Sequence, residues 1–110
     1  MFAKVSIDIR KLRDYCLNPY HPVGKHKARV FSSQLGIGKS DASRLSGLKE
    51  KITEKMENAE IVHTFSDTYG KRFLADLELH IEDNQAIVRT IWILKTDKVI
   101  PELVTCYIIT

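Results

Sequence analysis

A change of period at Ala59 divides this chain in two. Before it, apolar residues recur at helical spacing, with Leu45, Leu48, Ile52 and Met56 on one stripe. After it they alternate. Phe73, Ala75, Leu77, Leu79 and Ile81 stand against Arg72, Asp76, Glu78 and His80. A segment with one of these periods cannot bury its apolar residues in the other geometry. Helices are therefore expected first and a sheet second.

The punctuation agrees. Ser6 is positioned to cap a helix from about Ile7 to Leu17, with Ile9, Leu12 and Cys16 on one face, ended by Asn18-Pro19. A second helix is predicted from about Lys25 to Leu35, with Ala28, Phe31 and Leu35 as its stripe and Gly36 as its stop. Ser40 would cap a third from about Asp41 to Asn58. Four strands follow: Glu60 to Phe65, Arg72 to Ile81, Ala86 to Lys95 and Leu103 to Ile109. Asp67-Thr68-Tyr69-Gly70 and Glu82-Asp83-Asn84-Gln85 are the turns between them. The third strand, AIVRTIWILK, is apolar on both faces, as a central strand would be. The expected fold class is α+β, with three N-terminal helices followed by a four-stranded antiparallel sheet, as a single domain over residues 1–110.

Charge is unevenly placed. Of 17 Lys and Arg, eight fall in residues 1–40 against two acids, so the N-terminal third is the basic end of a chain of net charge +3. The two cysteines, Cys16 and Cys106, show no zinc spacing and suit a reducing compartment. MFAKVSIDIRK has no apolar core of a secretory leader, and no apolar run is long enough to span a bilayer. The expectation is a cytoplasmic protein with no membrane, metal or cofactor.

The stretch HPVGKHKARVF, from His21 to Phe31, concentrates the positive charge. On a helix starting near Lys25, the side chains of Lys25, His26 and Arg29 share an arc opposite Ala28, Phe31 and Leu35. Lys25 and Arg29 repel at i,i+4, and cations in a first helical turn oppose the macrodipole. Such local conflict is expected where a site binds an anion, above all phosphate. The plain alternative is a solvated lysine-rich face. LGIGKS resembles the end of a P-loop, but that pattern needs Gly where Ser33 stands, and a helix precedes it instead of a strand.

Arg89 interrupts a strand otherwise rich in Ile, Val, Trp and Leu. A guanidinium there needs a partner. Asp76 could supply one structurally, and a substrate phosphate functionally. Thr105 and Tyr107 alternate onto one face of the last strand, either to line the same site or, for Tyr107, as core with its hydroxyl at the edge. Asp76, Glu78 and His80 read better as a solvated polar face than as a metal patch, and His63 as a lone surface or satisfied histidine.

HPVGKHKARVF, YGKRF, VRTIWIL and LVTCYII together resemble a family of short uncharacterised bacterial domains, over about Leu17 to Ile109. Its members are found alone or near small partner genes of toxin–antitoxin type. A looser resemblance, in element order and in the basic helix, the strand Arg and the Thr-x-Tyr, is to the superfamily of barnase, RelE-type toxins and colicin-type ribonucleases. That resemblance implies metal-independent RNA cleavage on the sheet face beside the helix. The chain departs from barnase-like members in lacking a catalytic Glu paired with a strand His, which leaves base and acid unassigned.

The expected function is a toxin-type ribonuclease, cleaving RNA by attack of its 2′-hydroxyl on the adjacent phosphate. His26, then His21, are the acid/base candidates. Lys25, Arg29 and Arg89 would stabilise phosphate charge, and Thr105 and Tyr107 would position substrate. Lys27, Tyr69, Arg72 and Trp92 are candidate substrate contacts, the aromatics by stacking. The alternative is a non-catalytic module that binds nucleic acid or a small acidic antitoxin-like protein through the Lys25–Arg29 helix. An immunity-type role fits less well, because partners of basic toxins tend to be acidic. His26 beside Arg89 would favour catalysis, and Arg89 held against Asp76 away from His26 would favour the module.

Overall fold

A computed structural model of the chain describes residues 4–13, 29–30, 34–35, 42–81 and 83–109. Four strands follow the helical part: β1 (Val62–Asp67), β2 (Gly70–Ile81), β3 (Asn84–Lys95) and β4 (Glu102–Ile109). They form one antiparallel sheet in the order β1-β2-β3-β4. This is the meander that the alternating half of the sequence calls for.

The helical half is where expectation and structure part. Among the described residues two helices have both ends described, α1 (Ile9–Lys11) and α2 (Ala42–Met56). Strands of 6, 12, 12 and 8 residues outweigh helices of 3 and 15. The fold is mostly β, and the class of three helices before a sheet is corrected. The reason at the N-terminus is competition for Ser6. Its N–H donates to the Pro101 carbonyl at 2.8 Å, and its carbonyl accepts from Leu103 N–H at 2.9 Å. Ser6 is thus bound to the sheet edge as a parallel bridge with Glu102 and does not cap a helix. Asp8 caps instead, accepting from Arg10 N–H at 2.9 Å. Of the second expected helix, residues 29–30 and 34–35 are helical, and the rest lies outside the described residues.

The stripe on α2 is as read. Leu45, Leu48, Ile52 and Met56 are all buried. They share a core with Leu12 and Leu35, with Ala75, Leu77 and Leu79 of β2, and with Val88 and Trp92 of β3. Leu103, Cys106 and Ile108 of β4 complete it. Each large side chain so buried contributes roughly 1.5–3 kcal/mol before conformational entropy is set against it. One polar residue sits inside. The Thr90 hydroxyl donates to the Ala75 carbonyl at 2.7 Å and accepts the Trp92 indole N–H at 2.7 Å, so no polar atom of that trio is stranded.

Two bulges decide which side chains face outward. In β4, Leu103 pairs with Trp92 and Thr105 with Ile91, leaving Val104 as the extra residue. In β1, His63 pairs with Phe73 and Phe65 with Arg72, leaving Thr64 extra. An inserted residue flips the alternation. Leu103 therefore enters the core while Thr105, two positions on, lies on the opposite face. The β1–β2 turn depends on Gly70, whose φ is 149°. A Cβ there would meet the Leu94 carbonyl oxygen, with Lys95 Cα at 2.8 Å.

Candidate functional site

The helices cover one face of the sheet. On the other, the register lays side chains in rows across the strands. Leu74, Ile91 and Thr105 form one row, Asp76, Arg89 and Tyr107 the next, and Glu78, Ile87 and Ile109 the third. The middle row is the candidate site, because it places a charged cluster at the centre of an accessible surface.

Arg89 meets Asp76 in a fork. Nε donates to Oδ1 at 2.9 Å and Nη2 to Oδ2 at 3.0 Å. Both side chains are about a third exposed, at 36% and 35%. The paired geometry holds the Asp76 carboxyl below its usual range, chiefly through the hydrogen bond from Arg89. The Arg89 guanidinium is held still more firmly in its charged form, first by Asp76 and then by a hydrogen bond with Tyr107. A guanidinium carries five N–H donors. Asp76 engages two of them, so Arg89 is oriented by its neighbour and still has donors to offer.

The surroundings are electrically mixed. Arg72 and Arg89 share this face with Asp76, Glu78 and Glu102. Glu78 accepts from Gln85 Nε2 and lies 3.4 Å from His80 Nε2. Glu102 pairs with Lys95 at 3.0 Å. Ile87 and Ile109, beside Arg89, are 48% and 38% exposed. The second apolar face of β3, read from the sequence as covered, is open here.

Arg89, Thr105 and Tyr107 come together on the open face, as their alternation requires. Arg72 lies on the same face nearer β1, four residues from Asp76, or roughly 13 Å along the strand. Tyr69 is exposed in the β1–β2 turn, before Gly70, which is itself about 20 Å from Asp76 by the same rise. Trp92 is fully buried with its indole bonded to Thr90, so the expectation that it stacks on a base is set aside. Its parity in β3, shared with Val88 and Thr90, assigns it to the core. Arg29 is helical and exposed. His21, Lys25, His26 and Lys27 lie outside the described residues. Among the described residues no three metal-ligating side chains come together. Also among them, no helix is long and apolar enough to cross a membrane.

A family model described as a domain of unknown function matches residues 2–110. The chain belongs to the DUF6883 family. No curated protein matches it. This DUF6883 chain is similar in fold to a chain of a solved "Contact-dependent growth inhibition toxin - immunity protein complex from Klebsiella pneumoniae 342". The TM-score is 0.74 at 15% identity, covering 98% of the DUF6883 chain and 95% of the other. At that identity the likeness is one of fold, and any role for the residues rests on their own chemistry.

Proposed function

We propose that this chain is the toxin member of a toxin–immunity-type pair, and that it cleaves RNA on the open face of its sheet. The observation that carries the proposal is the fixed guanidinium of Arg89, accessible at the centre of that face beside Tyr107 and Thr105. The fold likeness to a chain of a toxin–immunity complex supports a role within such a pair.

In this reading Arg89 receives the phosphate through the donors that Asp76 leaves open, and Asp76 holds the guanidinium in place. The substrate 2′-oxygen forms a bond to the adjacent phosphorus as the bond to the 5′-oxygen breaks. A base takes the hydroxyl proton, an acid returns one to the leaving oxygen, and a cyclic phosphate results. His26 or His21 serves as base or acid, with Lys25, Lys27 and Arg29 drawing the polyanion in. The basic segment is needed for affinity, because the charges of the open face nearly cancel. Thr105 and Tyr107 position the sugar and phosphate.

A second reading has an observation of its own. Exposed Ile87 and Ile109 flank a charge pair that is already satisfied, a composition suited to a protein partner more than to RNA. There the chain is a binding module and Arg89 an interface anchor. Total RNA incubated with the protein at low salt in EDTA separates the two. The nucleolytic reading expects cleavage by the wild type and none by Arg89→Ala or His26→Ala. Intact RNA throughout, with no salt-sensitive retention of RNA, supports the protein-binding module instead.

A further inference from the structure

The two edges of the sheet differ. At β4 the chain's own Ser6 bridges the edge. At β1, Val62–Asp67, all six residues are exposed, Phe65 to 55%. An open edge is a template for another strand, and sheets commonly guard theirs with lysine, proline or inward charge. VHTFSD carries none of these. Its single carboxylate, Asp67, is occupied in the turn, accepting from the N–H groups of Tyr69 at 2.9 Å and Gly70 at 3.2 Å. The Thr64 bulge is the one irregularity, and the Thr64 hydroxyl closes it by donating to the Arg72 carbonyl at 3.2 Å. Past it, Phe65, Ser66 and Asp67 pair regularly with β2. In a hairpin closed by a two-residue turn, the pair beside the turn exchanges hydrogen bonds and the next does not. The backbone N–H and C=O of Ser66 thus point away from β2.

Arg72 sets the chemistry of what pairs there. Its guanidinium carbon stands 5.8 Å from the centre of the Phe65 ring. Its bond to Asp67 is long, at 3.4 Å, and its buried Nε finds no acceptor among the described residues. Arg89 is held by a two-point fork to its carboxylate and Arg72 is not. A guanidinium in that state gains from a second carboxylate, which its outer nitrogens can reach because the side chain is 22% exposed. We infer that the β1 edge and the Phe65–Arg72 corner receive an extended segment of a protein partner. In that segment an apolar residue over Phe65 and a carboxylate on Arg72 stand two positions apart, on the one face that Phe65 and Arg72 share. The inference stands apart from RNA cleavage, so the failure of either leaves the other intact.

Two capped, fluorescein-labelled decapeptides test it, one repeating Val-Thr-Glu-Thr so that valine and glutamate share a face, the other with lysine in place of each glutamate. Fluorescence anisotropy should show sub-millimolar binding of the glutamate peptide and at least tenfold weaker binding of the lysine one. Arg72→Gln should weaken the glutamate peptide at least tenfold. Ser66→Pro should do the same by blocking the outward edge, with an unchanged circular dichroism spectrum. No binding, equal binding of both peptides, or full binding by folded Ser66→Pro would overturn the inference. So would light scattering that shows a dimer lost on Phe65→Lys, because the edge would then belong to a second copy of this chain.

Discussion

Thr90 illustrates how much a single side chain can settle. Its hydroxyl bridges the Ala75 carbonyl and the Trp92 indole N–H. Thr90→Val keeps the shape and strands the indole N–H of Trp92. We expect a loss of about 1–3 kcal/mol in urea unfolding, the cost of a buried donor left without a partner. Asp76 gives a prediction in pH. Its carboxyl is held below the usual range in the folded chain, so its contribution is present above the unfolded pKa and is lost as pH falls through the folded value. Asp8 shifts the same way, from 3.8 to about 2. Melting temperature should therefore fall as pH drops below about 4, and Asp76→Asn should flatten part of that fall. A variant whose acid profile matches the wild type would contradict the Asp76–Arg89 assignment.

At the scale of elements, the α2 stripe and the β1–β2 turn carry most of the burden. Ile52 is fully buried against the sheet, and Ile52→Ala should cost about 2–5 kcal/mol. Gly70→Ala should cost about 2 kcal/mol or more, because the backbone at φ 149° leaves no room beside Leu94 and Lys95. Chemical denaturation measures both. These two features were legible in the sequence, the stripe from its period and the turn from Asp67 to Gly70. The first helix was not. Ser6 has the composition of a cap, and nothing local announces that Pro101 and Leu103, nearly a hundred residues away, will claim its backbone. The bulges at Thr64 and Val104 were also hidden. The extra residue of β4, Val104, is apolar like Leu103 beside it and so hides the shift in phase, yet that shift determines that Leu103 is core and Thr105 is not.

At the scale of the molecule, the sheet presents one covered and one open face, and function is argued from the open one. Alternation along β3 and β4 was enough to bring Arg89, Thr105 and Tyr107 together on paper. It could not show that Asp76 forks onto Arg89, nor that Ile87 and Ile109 stay exposed beside it, since β3 reads as apolar on both sides. The central claim is that this face cuts RNA. The most direct measurement is induced expression of the wild type and of Arg89→Ala in bacterial cells, with total RNA resolved on denaturing gels, so that every cellular RNA is offered as substrate. The account predicts growth arrest and discrete RNA fragments with the wild type, and neither with Arg89→Ala. Intact RNA under wild-type expression, or fragments of equal yield from both proteins, would contradict it.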